Sequence, residues 1–171
     1  MIKIVLDLVF LFRALGAIFI CMKMIKKQIL EVSQSIINQN GYFLIDSIFR
    51  GDPKNMVIEI FVDNKDGVNT VDCAKISREI IAQIEEQEII SSKYRLDVSS
   101  PGVERPLKFL EQYHKHINRK FSIEYLDVEK LIKKEGMLKS IEDSSLLFEF
   151  GKEEILINWK NIKSAKVLIS F

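Results

Sequence analysis

A break rich in proline and glycine divides this sequence into two stretches of different hydrophobic periodicity. Ser100-Pro101-Gly102 and Pro106 form the break. Proline fixes its own φ angle and disfavours helix in the residue before it, and glycine permits a sharp turn. Helical and strand periods alternate before the break, whereas short strands predominate after it. We therefore expect two domains, joined by a connector at residues 100–107.

The stretch before the break predicts an α/β sandwich domain over residues 23–99. Apolar residues at helical spacing indicate one helix that ends near Asn40-Gly41 and another that runs from Thr70 to about Glu88. The face of the second helix carries Cys73, Ile76, Ile80 and Ile84. Runs of β-branched and aromatic residues predict strands at 42–49, 56–62 and 94–98. Helix, two strands, helix and strand are typical of a small sheet with two helices over one face.

The stretch after the break predicts a small β-barrel domain over residues 108–171. A short helical segment at residues 107–116 comes first. Short strands are then predicted at Phe121–Tyr125, Lys134–Ile141, Ser145–Phe150, Glu153–Ile157 and Ala165–Ile169. Five short strands favour a barrel, because closure removes the sheet edges. The predicted fold class is therefore α+β.

Residues 1–22 differ from the rest because they are almost entirely apolar. A transmembrane helix needs about 20 such residues, but Asp7 and Arg13 would each cost about 2.5–3.5 kcal/mol near the middle of a membrane. We interpret the segment as an over-extended start and expect the native chain to begin at Met22 or Met24. A membrane anchor is the alternative.

Composition excludes several classes of protein. The net charge of +1 argues against a protein that coats nucleic acid by bulk charge. Two cysteines, Cys21 and Cys73, make neither a disulfide framework nor a zinc quartet. This cysteine usage is typical of a reducing cytoplasm.

No motif for catalysis or metal binding is complete. Residues 63–67 superficially resemble a calcium loop, but Val62 and Cys73 occupy positions that need oxygen ligands. His114 and His116 lack matching ligands and acidic orienting groups, so we interpret them as exposed basic residues. Walker and dinucleotide motifs are absent from the sequence. We expect no enzyme activity, no metal and no cofactor.

The segment Tyr94–Leu107, which reads YRLDVSSPGVERPL, closely resembles the signature of the RimP family of ribosome maturation factors. Similar patterns occur at residues 66–68, 70–74, 107–121, 136–141 and 161–163. The resemblance implies an SH3-like (Sm-like) C-terminal barrel and a non-enzymatic cytoplasmic factor. It further implies binding to the free 30S small ribosomal subunit, help in its assembly, and contact with ribosomal protein S-twelve and 16S ribosomal RNA.

Two groups of residues are candidates for these contacts. An acidic face with the connector is expected to receive the basic ribosomal protein; it comprises Asp63, Asp66, Asp97, Ser100, Pro101, Gly102, Glu104 and Arg105. The barrel is expected to contact RNA or the ribosomal protein through Lys108, Arg119 and Lys120. Alternatively, the acids only cap turns, and Arg105 only holds carbonyls or a carboxylate within the connector.

Two further functions remain open from the sequence. One is a general RNA-binding module built on the Sm-like barrel, although the barrel sequence lacks aromatic residues interleaved with basic ones. The other is a membrane-tethered regulator, which depends on residues 1–22.

Overall fold

The computed structural model describes the backbone of residues 2–169 and the side chains of residues 19–169. The first half contains α1 (Ile2–Gln39), β1 (Phe43–Arg50), β2 (Asn55–Asp63), α2 (Thr70–Glu86) and β3 (Lys93–Ser99). The second half contains a 3₁₀ helix (Leu110–His116), β4 (Lys120–Asp127), β5 (Lys130–Glu142), β6 (Ser145–Phe150), β7 (Glu153–Asn158), a 3₁₀ turn (Trp159–Asn161) and β8 (Ile162–Val167). The predicted α+β class is confirmed.

These elements group into two compact units that interleave along the chain. The first unit comprises the chain through Ile60 together with Val71–Val98. The second comprises Phe61–Thr70 together with the chain from Ser99 onward. The loop that follows β2 therefore belongs with the C-terminal strands. The domain boundaries expected from the sequence, at residues 23–99, 100–107 and 108–171, stay predictions.

Isoleucine dominates the core of the first unit. Its sheet has the strand order β1-β2-β3. On the predicted face of α2, Ile76, Ile80 and Ile84 are buried and Cys73 is half-buried. The buried isoleucines are Ile29, Ile36, Ile37, Ile45, Ile58, Ile60, Ile76, Ile80, Ile84 and Ile89. Burial of an isoleucine contributes about 1.5–3 kcal/mol, so apolar contact is the main stabilising interaction of this unit.

Both helices of the first unit end in a left-handed cap. After α1 the left-handed residue is Gly41, with a φ of 78°. After α2 it is Glu88, with a φ of 48°, a conformation that costs a residue with a side chain about 1–2 kcal/mol. The N–H of Ile89 donates to the carbonyl of Ile84 at 3.0 Å, and the N–H of Glu88 donates to that of Glu85 at 3.1 Å. These two bonds form a Schellman motif.

The second unit contains an antiparallel sheet with the strand order β7-β6-β5-β4-β8. The five predicted strands are all present, although β8 begins at Ile162 rather than at Ala165. The pairing register shifts between Glu124 and Tyr125, and again between Leu138 and Ser140. Among the described residues β7 and β8 do not pair with each other, so these pairings leave the sheet open.

Aromatic rings fill much of the core of the second unit. The ring of Phe121 stacks on Tyr113 at 5.8 Å and meets Phe148 edge-on at 5.7 Å. Phe150 stacks on Phe148 at 6.0 Å. A Cβ atom at Gly136 would lie 2.5 Å from Cδ1 of Phe150. The absence of a side chain at position 136 therefore allows this ring to pack on β5.

The N-terminal part of α1 is described only by its backbone. The side chains of residues 1–18 lie outside the described part of the chain, so the prediction made for residues 1–22 stays a prediction. Within the residues that the structure describes, no helix combines the length and the apolar character that a membrane crossing requires.

Candidate partner-binding recess

The loop that follows β2 is shaped by its own side chains. Asp63, the last residue of β2, is only 4% exposed. Its Oδ1 accepts the N–H of Asn64 at 3.0 Å, and Oδ1 of Asn64 accepts the N–H of Asp66 at 2.9 Å. Gly67 follows in the left-handed region with a φ of 98°, where glycine is favoured. The loop therefore has one defined path toward the start of α2.

Gln112 links this loop to the 3₁₀ helix of the same unit. Its side chain is fully buried. Its Nε2 donates to Oδ2 of Asp63 at 2.7 Å, and its Oε1 accepts the N–H groups of Lys108 at 2.9 Å and of Phe109 at 3.0 Å. One amide thus satisfies two backbone donors before the helix and one buried carboxylate, as burial of polar groups requires.

Lys115 supplies the positive charge that a buried carboxylate needs. Its Nζ forms a salt bridge with Oδ1 of Asp63 and also donates to the carbonyl of Asn64 at 3.0 Å. The lysine side chain is 21% exposed and the aspartate side chain 6% exposed. Removal of one partner from such a pair leaves an uncompensated buried charge, which costs about 3–5 kcal/mol.

The connector is held by Arg105. The Cζ atom of Arg105 lies 3.5 Å from the ring centroid of Phe61, a cation–π contact worth about 0.5–2 kcal/mol. Its Nη1 donates to the carbonyl of Pro101 at 3.4 Å. Gly102, which lies between them, has a φ of 66°. Arg105 thus fastens the connector turn onto the residues that end β2.

The loop and the connector enclose a recess of about 230 Å³ within the second unit. It brings together five of the residues predicted to form a site: Asp63, Ser100, Pro101, Gly102 and Arg105. The other lining residues are Gly67, Val68, Val103, Leu107, Lys115, His116 and Val167. Most of its surface is apolar, and charged groups lie around it, so an apolar side chain of a partner would fit.

The remaining predicted acids do not line the recess. Asp66 and Glu104 are exposed residues of the second unit. Asp97 belongs to the first unit, where its Oδ2 accepts two hydrogen bonds from Arg95, at 2.9 Å from Nε and 2.6 Å from Nη2. Asp63 is engaged by internal partners. The acidic face therefore stays a proposal, and its exposed members within the second unit are Asp66 and Glu104.

The expectation that both histidines are exposed is wrong for His116. His114 is exposed, but His116 is half-buried and its ring meets Phe121 edge-on at 6.1 Å. Burial, reinforced by the nearby charges of Lys115 and Arg119, lowers the pKa of His116 from 6.5 to about 4. Its Nδ1 is buried without a hydrogen-bond partner among the described residues. The imidazole is therefore neutral at pH 7.

The residues that build the recess were only partly identifiable from sequence. Gln112 and Lys115 have no recognisable motif, because the residue they contact is Asp63, which lies 49 and 52 positions earlier. No group of three or more His, Cys, Asp and Glu residues in the described part of the chain is placed to hold a metal ion.

The chain is an α+β protein of two units. The first unit is α/β. The second contains an antiparallel five-stranded sheet and a preformed recess that is built from a loop and the connector. Residues 25–104 match the family model described as the RimP N-terminal domain. This match confirms the resemblance to the RimP family that was recognised from the sequence. The RimP N-terminal domain is typical of ribosome maturation factors.

Proposed function

We propose that this protein is a non-enzymatic, cytoplasmic ribosome maturation factor that binds the free 30S small ribosomal subunit and assists its assembly. The RimP N-terminal domain at residues 25–104 supports this proposal. So does the resemblance of the connector sequence to the family signature. The partners implied are ribosomal protein S-twelve and 16S ribosomal RNA.

The recess is the single observation that carries the proposal. Two separate stretches with the family's sequence pattern contribute to the same cavity of about 230 Å³: the loop through Gly67 and Val68, and the connector through residues 100–103 and 105. Hydrogen bonds, a salt bridge and the Arg105–Phe61 contact hold both stretches in place before any partner arrives. Preorganisation of this kind lowers the entropic cost of binding.

Two exposed acids, each next in sequence to a residue that lines the recess, suit a basic partner such as a ribosomal protein. Asp66 and Glu104 are exposed in the same unit, and their charges would attract a basic protein over about 8–10 Å at physiological salt. We assign them to steering, and the apolar recess to docking. Asp63 acts indirectly, because it fixes the position of the loop through Gln112 and Lys115.

We further infer that the second unit is an SH3-like (Sm-like) barrel. The last strand, β8, pairs with the first strand of its sheet, β4. A 3₁₀ turn at Trp159–Asn161 precedes β8. β5 is 13 residues long, and its pairing register with β6 shifts between Leu138 and Ser140. Such a shift lets a long strand bend, as a strongly curved sheet requires.

Filling the recess tests the proposal. The variant Ser100→Tyr places a ring at an exposed position that lines the cavity. We expect its affinity for free small subunits, measured by co-sedimentation, to fall about tenfold or more. Ser99→Tyr is the matched control, since Ser99 is exposed but does not line the recess.

Wild-type protein should sediment with free small subunits and not with large subunits or complete ribosomes. Equal loss in both tyrosine variants would show that the recess is not the contact. Failure of the wild-type protein to sediment with small subunits would refute the proposed function itself.

A further inference from the structure

A second cavity of about 410 Å³ lies elsewhere on the second unit, at the start of β4. Two of its lining residues are basic and none is acidic. They are Val103, Asn118, Arg119, Lys120, Met137, Val167, Leu168 and Ile169. We call this cavity the basic groove. It shares Val103 and Val167 with the recess, so the two cavities are neighbours.

The two cations of the basic groove are not neutralised within the protein. Two lysines elsewhere on this unit are paired: Lys133 with Glu124 at 3.0 Å, and Lys139 with Glu149 at 3.1 Å. Among the described residues, by contrast, Arg119 and Lys120 form no ion pair, and both are exposed. Two adjacent uncompensated cations beside an open cavity favour an anionic ligand.

The main chain of the groove is already hydrogen-bonded. The N–H of Asn118 donates to the carbonyl of Leu138 at 2.8 Å, and the carbonyl of Arg119 accepts from Leu138 at 3.1 Å. The carbonyl of Lys120 accepts from Leu168 at 2.8 Å. A peptide that adds itself as a strand needs free backbone groups, so recognition here falls to the side chains.

The apolar residues of the groove restrict the ligand further. Val103, Met137, Val167, Leu168 and Ile169 offer no aromatic ring on which a base could stack. Arg119 and Lys120 can contact phosphates, the groups that carry no sequence information. Asn118, with a φ of 65°, presents an amide beside them as a further donor.

We propose that the basic groove binds the sugar–phosphate backbone of RNA through Arg119 and Lys120, without sequence preference. That this RNA is ribosomal rests on the proposed function. Because the groove and the recess share two valines, one unit would hold an RNA strand beside the protein that docks in the recess. This juxtaposition would let the factor bring a ribosomal protein and its RNA together.

Salt dependence of RNA binding measures the two phosphate contacts. The full-length chain is titrated against fluorescent oligouridine by anisotropy at several salt concentrations. Each phosphate contact to a single strand contributes about 0.7 to the slope of log affinity against log salt. We expect the double variant Arg119→Gln/Lys120→Gln to reduce the magnitude of that slope by about 1.4. An oligoadenosine of equal length should bind with similar affinity.

The matched control is Lys152→Gln/Lys163→Gln, which removes the same charge from exposed lysines of the same unit that do not line the groove. It should leave the slope unchanged. An unchanged slope in the Arg119/Lys120 variant would overturn the proposal. A different ligand would also overturn it. If an oligoglutamate peptide binds only when Arg119 and Lys120 are present, and oligouridine binds equally well without them, the ligand of the groove is an acidic polypeptide.

The two proposals fail separately. If the wild-type protein binds oligouridine through the pair but does not sediment with small subunits, the basic groove stands and the proposed function fails. If it sediments with small subunits while the variant keeps the wild-type slope, the groove alone fails.

Discussion

The two units differ in what holds them together. The first has an aliphatic core made largely of isoleucine, whereas the second combines stacked aromatic rings with two buried polar side chains, Asp63 and Gln112. Aliphatic cores tolerate changes that conserve volume. A buried polar network tolerates few changes, because each group left unpaired costs the full desolvation penalty. The candidate recess lies in the unit with the network, so its shape depends on directional contacts.

The largest expected effect comes from breaking the Asp63–Lys115 pair. Lys115→Ala leaves the buried carboxylate without its cation and should lower the free energy of unfolding of the second unit by about 3–5 kcal/mol. Trp159, the single tryptophan, packs against the core of this unit and reports on its unfolding in urea. Hydrogen exchange in α2 should show the first unit much less affected.

The control for this variant is Lys133→Ala. Lys133 pairs with Glu124, but its side chain is 69% exposed, and such pairs contribute about 0–1 kcal/mol. If both alanine variants change stability equally, burial does not distinguish the two pairs, and the buried network does not make the contribution to stability assigned to it here.

An intermediate effect should follow from the pKa of His116. Between pH 6.5 and about 4, the unfolded chain binds a proton that the folded chain excludes. Stability is therefore complete above about pH 6.5 and falls as the pH decreases toward 4. Because solvent screens part of this effect at a partly exposed ring, we expect His116 to lower the free energy of unfolding by about 1 kcal/mol between pH 7 and pH 5.

Urea midpoints followed by Trp159 fluorescence at both pH values measure this loss. His116→Gln should lose less stability on acidification than the wild-type protein. His114→Gln, at an exposed position, should lose as much as the wild-type protein. An identical pH dependence in all three proteins would contradict the proposed role of burial at His116.

The smallest effect is expected in the first unit and has the opposite sign. Glu88→Gly relieves the left-handed strain at the end of α2. Because the entropy cost of glycine offsets part of this strain, the free energy of unfolding of this unit, measured by thermal denaturation, should rise by only about 0.5 kcal/mol. Glu86→Gly is the control, because Glu86 is the last residue of α2 and glycine there should destabilise the helix. If Glu88→Gly also destabilises, the strain at this cap is negligible.

Periodicity predicted most of the fold. Isoleucines at helical spacing placed α2, and short strand-like runs between tight turns placed the five strands of the second unit, because these patterns are local. The start of β8 was predicted too late, since Ile162 follows the 3₁₀ turn directly. The shape of the sheet was harder to predict, because pairing between distant strands leaves no local pattern.

The candidate site was less predictable than the fold. The sequence suggested that Asp63 faces solvent, as most aspartates do, but in the structure Gln112 and Lys115 bury it. His116 was expected to be exposed because basic residues surround it, yet its ring packs against Phe121. Both outcomes depend on contacts that are remote in sequence, and no spacing rule describes them.

The amide of Gln112 also limits how this chain can vary. Its nitrogen faces a carboxylate and its oxygen faces two N–H groups, so its polarity cannot be reversed. Glutamate at position 112 would set two carboxylates against each other, unless position 63 changed to asparagine and became the donor. Substitutions at positions 63 and 112 should therefore accompany each other in related sequences. Either change alone would carry the penalty of an unpaired buried group.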